Sequence, residues 1–233
     1  MDNKKKLAII PVRAGSKRVV DKNIKMFDGK PLFIHTCEHA EQSNLFDEIH
    51  ISTESEKVIR IANEYGFKTN FRRDEKLASD DAQLVDVCKY VLAEYGKIDI
   101  KFDEFCILWA TTPLRELSDI NKSYELLGDN VDAVVSVTEY DLPVYSALLI
   151  DDKYDVTPLF PDMIRLPKSK IPKVVCVSGN FCWVNVDAFH AHKTWLPPKL
   201  KGFEIGKHRS VDIDTQHDWD IAEYLYLKGK KNV

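Results

Sequence analysis

The chain has 233 residues, 44% of them apolar and 30% charged, with a formal net charge of -4 at neutral pH. That composition belongs to an ordinary soluble protein, long enough to bury a sizeable core without disulfides or metals. The charge balance excludes a general nucleic-acid binder, which carries a basic excess, and leaves room for a local basic pocket.

Leu7 to Val12 is a continuous apolar run, the pattern of a strand buried on both faces of a parallel sheet. A polar loop containing Gly15 follows. Pro31 then opens a helical pattern through Leu32, Ile34, His35, Cys37 and Ala40, since proline suits a first helical turn. Glu48 to Ser52 reads as a second strand, and Ser55 to Tyr65 as a helix ended by Gly66. Lys68 to Phe71 reads as a third short strand, Asp81 to Tyr95 as a helix, and Phe105 to Trp109 as a strand. Ser118 to Leu127 is expected to be helical and Ala133 to Val137 extended. Over about 140 residues this is an alternating strand–helix beat, which implies an α/β fold with a mostly parallel sheet and helices on both faces. Ligands of such sheets bind beyond the carboxyl ends of the strands, so the loops after strands should hold the chemistry.

Tyr140 to Val175 breaks the beat. It carries Pro143, Pro158, Pro161, Pro167 and Pro172 among the cations Arg165, Lys168, Lys170 and Lys173. A central strand or core helix does not tolerate so much proline, so the stretch reads as an arm, a lid or an oligomer contact. Regular structure resumes at Val177 to Val184, with a short strand expected at Ser210 to Asp214 and a last helix at Thr215 to Leu227.

Met1 to Lys6 is charged and has no apolar signal region behind it, and no apolar run approaches ~18 residues, so neither a secretory signal nor a membrane span is expected. Cys37, Cys88, Cys106, Cys176 and Cys182 form no C-x-x-C pair and no zinc spacing. They read as small hydrophobes in a reducing compartment, and a cytoplasmic protein is expected.

Two stretches carry most of the chemistry. The loop Arg13-Ala14-Gly15-Ser16-Lys17-Arg18, continued by Lys22-Asn23, joins a glycine, a hydroxyl and several cations directly after the first strand. Glycine lets backbone amides turn toward an anion, and Arg and Lys supply the charge that phosphates need. The loop matches neither a Walker A pattern nor G-x-G-x-x-G. The second stretch, Asp212-Ile213-Asp214, places two carboxylates ~6.5 Å apart on one side if it is a strand. Such a pair suits a divalent cation that also takes phosphate oxygens, or serves to cap the helix that follows. Two further rim segments are the 72–81 stretch, with Arg73 and Ser79, and Ala110-Thr111-Thr112-Pro113-Leu114-Arg115. In the first, Ser79 or Asp80 can simply cap the next helix; the second could line the base or sugar.

These segments, in this order, resemble the acylneuraminate cytidylyltransferase family, the CMP-sialic acid synthetases. The likeness runs from about Leu7 to Lys228 and also takes in Gly29-Lys30-Pro31-Leu32 and Ile51-Ser52-Thr53. It implies a Rossmann-like sheet of the nucleotide-diphospho-sugar transferase type, one cytidylyltransferase domain over 1–233, with a dimerisation arm inserted at about 140–175. It further implies that CTP and a nonulosonic acid, a nine-carbon acidic keto-sugar, give the CMP-sugar and pyrophosphate in a homodimer. By the resemblance, Arg13, Ala14, Gly15, Ser16, Lys17 and Lys22 would hold the triphosphate, and Asn23 and Arg73 would place the nucleotide. Ser79 and Thr111 would line the rim, and Asp212 and Asp214 would hold Mg2+. Arg165 and Lys173 would reach a partner chain's sugar. No His or Glu in the motifs is an obvious base, so the metal is expected to activate or position the sugar's anomeric hydroxyl.

The chain departs from the sialic acid pattern where it meets sugar. Sialic acid synthetases carry Gln-Pro-Thr-Ser-Pro where this chain has Trp109-Ala110-Thr111-Thr112-Pro113, and Trp109 cannot reproduce the glutamine's hydrogen bonds. An Asn is replaced by Ser178, and small hydroxyl residues by Gln83-Leu84. Trp109-Ala110, Glu139 to Pro143 and Ser178 to Trp183 lie nearer the pseudaminic acid branch. A CMP-Kdo-type synthetase and a non-catalytic nucleotide-binding module of the same fold are the alternatives.

Overall fold

The computed structural model describes residues 4–79 and 81–230. Its first strand, β1 (Lys6–Pro11), has Leu7 to Ile10 fully buried. Alternate side chains of a strand leave on opposite faces. Accordingly Ala8 and Ile10 pack in one apolar cluster while Leu7 and Ile9 pack in another. β1 lies between β4 (Glu48–Ser52) and β5 (Glu104–Leu108), parallel to both. Val12 N donates to Ser52 O at 2.9 Å, carrying the pairing one residue past the strand's end.

The helices α1 (Leu32–Gln42), α2 (Glu56–Glu64) and α4 (Leu117–Tyr124) supply Phe33, Ile34, Val58, Ala62 and Ile120 to the first cluster. On the other face α3 (Leu84–Lys97) and α5 (Val186–His192) supply Cys88, Val91, Tyr95 and Phe189. The expected helices on both faces of the sheet are therefore present. The sheet is completed by β6 (Ala133–Glu139), β9 (Val175–Asn185) and β10 (Leu200–Glu204), in the order β10-β6-β9-β5-β1-β4. β9 runs antiparallel between β5 and β6, while β10 is parallel to β6.

Two expected strands are absent. The 68–71 stretch is irregular: β4 is left as an edge strand of the sheet, and Phe71 turns inward to stack on His50 at 4.2 Å. The 210–214 stretch is a loop. Ile213 N reaches Thr111 O at 2.9 Å, but Asp214 N and Thr215 N turn to the Asp218 carboxylate instead of a neighbouring strand. That carboxylate caps the start of α6 (Gln216–Lys230).

A third cluster fixes this loop in space. Ile213 is fully buried with Phe27, Leu32 and Trp219, uniting α6 with the small ribbon of β2 (Met26–Phe27) and β3 (Lys30–Pro31). Within residues 140–175 the chain forms a hairpin of β7 (Leu148–Ile150) and β8 (Val156–Pro158), with all six strand residues exposed. Among the described residues no helix is long and apolar enough to cross a membrane. Asp80, a candidate cap, lies outside the described residues.

Candidate active site

The loops that follow β1, β4 and β5 meet the 210–214 loop at one rim of the sheet. The loop after β1 turns through Gly15 at φ +76°, a left-handed conformation that favours glycine. It then closes on itself. Lys22 N donates to Ser16 Oγ at 2.7 Å, and Asn23 Nδ2 donates to Arg13 O at 2.9 Å. From β4's end, Glu54 braces it: one carboxylate oxygen accepts from Ala14 N at 2.8 Å and the other pairs with Arg73 Nη2 at 2.6 Å. Arg73 is 4% exposed, so this pair is shielded from solvent.

The result is a cavity of about 340 Å³. Arg13, Ser16, Lys17, Lys22 and Asn23 line it from the first loop, and Arg73 and Ser79 from the 72–79 stretch. Thr111 lines it from the loop after β5, with Asp212 and Asp214 opposite. Ala14 and Gly15 shape the loop through their backbone. Arg18, which also lines the cavity, pairs with Asp214 at 3.1 Å. Arg165 and Lys173 are not brought to this cavity. Arg165 is exposed on the arm, and Lys173 pairs within its own chain with Glu204 at 2.6 Å and Glu139 at 3.7 Å.

The two aspartates are held by different partners. Thr111 Oγ1 donates to Asp212 Oδ1 at 2.5 Å. Solvent reaches Asp212 through the cavity mouth, but protein crowds the carboxylate on its other sides. Burial therefore pushes its pKa above the ordinary value, and the charges of Asp214 and Asp218 add to this, while Thr111 and Lys22 pull it down. Lys22 Nζ donates to Ile213 O and pairs with Asp214 Oδ1 at 3.1 Å. For Asp218 burial pushes upward too, but hydrogen bonds from Thr215 and the Asp214 backbone prevail and hold it below its ordinary value. Among the described residues there is no cluster of three or more His, Cys, Asp or Glu suited to a metal. Mg2+ needs no such cage, because one or two carboxylates suffice when phosphates complete its shell. The donor set of Asp212 and Asp214 fits that ion, and a cation there would relieve the crowding of negative charge on Asp212.

A second cavity of about 970 Å³ adjoins the first, and Trp109 and Asp212 line both. Trp109 is fixed edge-on against Trp195 with ring centroids 5.6 Å apart. Leu142, Val177 and Ile221 give the second chamber apolar walls, while Lys207 and His208 stand beside the carboxylates of Glu139, Asp141 and Asp218. Gly179 lines the second chamber at φ +69°, and a Cβ there would stand 3.2 Å from Asp212 Oδ2.

Sequence reasoning missed Glu54, Gly179 and Asp218. Asp218 had a legible signal, since Thr215 three residues before it makes a capping pair. Glu54 and Gly179 had none, because their roles depend on contacts across the rim.

An α/β sheet whose strand ends carry a cation-lined loop facing paired carboxylates defines a nucleotide-handling protein. A family model described as cytidylyltransferase matches residues 7–144. The chain is 30% identical to the pseudaminic acid cytidylyltransferase of Campylobacter jejuni, over 95% of this chain and 96% of that one. It is 31% identical to the CMP-N,N'-diacetyllegionaminic acid synthase of Legionella pneumophila, over 94% and 95%. It is 30% identical to the N-acylneuraminate cytidylyltransferase of Streptococcus agalactiae, over 92% of this chain and 52% of that longer one. Among solved structures, a CMP:2-keto-3-deoxy-manno-octonic acid synthetase complexed with CTP superimposes with a TM-score of 0.72 at 16% identity, covering 97% of this chain and 99% of that one. The 4-diphosphocytidyl-2C-methyl-D-erythritol synthase of Anaerococcus prevotii gives 0.69 at 16%, over 97% and 100%, and both share the fold. The chain belongs to the cytidylyltransferase family.

Proposed function

We propose that this protein couples CTP to a nonulosonic acid, releasing pyrophosphate and forming the CMP-sugar. The observation that carries the reading is the pair of chambers joined at Trp109 and Asp212, one rich in cations and one of mixed apolar and charged character. CTP occupies the first and the acidic sugar the second. The full-length similarity to synthetases of this kind supports that assignment.

The anomeric hydroxyl oxygen of the sugar attacks the α-phosphorus. A new P–O bond forms as the bond to the β-phosphate oxygen breaks, and the hydroxyl's proton passes to solvent. Negative charge grows on the phosphoryl oxygens and on the leaving pyrophosphate. Arg13, Lys17 and Lys22 stabilise that charge from a preorganised loop, which is where most of the rate enhancement in such transfers arises. Asn23 and Arg73 keep that loop and the nucleotide in register. Asp212 and Asp214 would hold Mg2+, which supplies Lewis-acid polarisation of the phosphates when bound. Thr111 orients Asp212, and Lys22 spans Asp214 and the triphosphate position.

The exposed hairpin of β7 and β8 supports a homodimer. Two short strands are marginal alone, and Leu149, Ile150 and Val156 stand half or more exposed. In this reading the chain is one cytidylyltransferase domain with an arm at about 140–175. Arg165 and Lys173 then serve the partner's sugar, which requires Lys173 to leave Glu204. Five unpaired cysteines, four of them buried, support a cytoplasmic setting.

Mass spectrometry of the product tests the reading. CTP with pseudaminate, legionaminate or neuraminate should give a CMP conjugate of at least one acid, and far less with Kdo. A conjugate of Kdo alone would favour the CMP-Kdo-type alternative. CTP binding without conjugate from any acid would favour the non-catalytic module.

A further inference from the structure

A third cavity, of about 590 Å³, lies away from the nucleotide loop, between α1, the 113–116 turn and the last turns of α6. Its walls combine apolar surface from Pro113, Leu114 and Tyr226 with the cations Arg209 and Lys228, and Glu116 is a carboxylate among them. Arg115 lines it as well. That arginine is 2% exposed, and among the described residues no carboxylate lies within ion-pair reach of it. Its Nη2 donates to Trp109 O at 2.7 Å and to Thr36 and Thr112 hydroxyls at 3.2 Å each, whereas its Nε and Nη1 have no hydrogen-bond partner. Burial lowers its pKa to about 10, so it is still charged at neutral pH. A buried guanidinium with two idle nitrogens is costly unless an anion completes it.

His39, on the same wall, is neutral: burial pushes its imidazole down to about 3, with Arg115's charge adding. It offers hydrogen bonding without charge. Arg209 is engaged by Asp119 and Glu116, while Lys228 is exposed at the mouth. Positive charge thus lines the cavity from solvent-facing Lys228 to buried Arg115, whose Nε and Nη1 are unpartnered and enclosed by protein.

We propose that this cavity is a second ligand site, for a small organic oxyanion with an apolar body, its phosphate or carboxylate directed at Arg115. Guanidinium donates paired N–H bonds to either group. The site is not isolated from the first two chambers. Arg115 holds the carbonyl of Trp109, which lines both of them, and His208 lines both this cavity and the second chamber. An occupant would therefore bear on the 109–112 turn.

Calorimetric titration with phenyl phosphate and, separately, benzoate tests this without turnover, so its outcome is independent of the proposed reaction. At least one probe should bind one copy per chain with a Kd at or below about 1 mM. The preferred probe tells a phosphate ester from a carboxylate. Binding should survive Lys22→Ala in the nucleotide loop, weaken about tenfold in Lys228→Glu, and tighten in Glu116→Gln, which removes the repelling charge. Lys228 is exposed, so its replacement leaves the fold intact. No saturable binding by either probe, or binding abolished by Lys22→Ala and unmoved by Lys228→Glu, overturns the proposal.

Discussion

Thr111 Oγ1 and Asp212 Oδ1 lie 2.5 Å apart although 101 residues separate them in the chain. The contact ties the loop after β5 to the loop before α6, and it favours the ionised form of the more crowded of the two aspartates against the upward push of burial. Thr111→Val removes the donor. The Asp212 carboxyl, already raised by burial and by Asp214 and Asp218, should then rise further. Since the ionised form is the one that binds a cation, the acid limb of the pH–rate profile should move to higher pH, with more Mg2+ needed for half-maximal rate. Parallel profiles of the two proteins measure this.

The same shift has a stability consequence. A carboxyl whose pKa is raised on folding favours the fold below its unfolded pKa and loses that contribution as pH rises through the folded value. The ionised form of Asp212 therefore opposes folding of the metal-free protein. Asp212→Asn should raise Tm at pH 7 while abolishing turnover, and the gain should vanish in acid. Thermal melts without metal at both pH values check it; an unchanged or lower Tm at pH 7 would contradict it.

Gly179 tests how closely the site is packed. Alanine there adopts a left-handed conformation costing roughly 1–2 kcal/mol, and its Cβ would crowd Asp212 Oδ2 at 3.2 Å. Gly179→Ala should lose activity by a larger factor than its drop in stability explains, with the loss falling on kcat. Urea denaturation and steady-state kinetics on one preparation separate the two effects.

Glu54 is the hidden brace. Glu54→Ala leaves Arg73 buried without its partner and frees Ala14 N. Breaking a buried pair from one side costs about 3–5 kcal/mol, so a large fall in denaturation midpoint is expected, along with a raised KM for CTP. Lys22→Ala should behave differently. It should lower kcat by roughly 10²–10³, the loss seen when one electrostatic stabiliser of a transition state is removed, with a smaller effect on stability.

Much of the frame was legible because buried parallel strands announce themselves. The apolar run at Leu7 to Val12 and the strand at Glu48 to Ser52 appear in the structure at nearly those bounds, and Pro31 does precede α1. The antiparallel placement of β9 was not legible, since strand direction leaves no mark on an apolar run. The stretch around Asp212 has a strand's alternation but is a loop. Ile213 is buried by the third cluster rather than by sheet neighbours, so alternation arose without pairing. The site's ionic residues were readable from their chemistry and gather in one cavity, whereas Arg165 and Lys173, drawn from the arm, do not join them within one chain. Gly179 and Glu54 act through the backbone and through a neighbour, and no local pattern encodes that.

The proposed reaction joins CTP to an acidic nine-carbon sugar across two chambers that share Trp109 and Asp212. Its most direct test is pyrophosphate release with CTP, Mg2+ and each of neuraminate, legionaminate and pseudaminate. Release is expected with at least one acid, dependent on Mg2+ and lost in Asp212→Asn. No release with any of the three, in protein that still binds CTP, would contradict it.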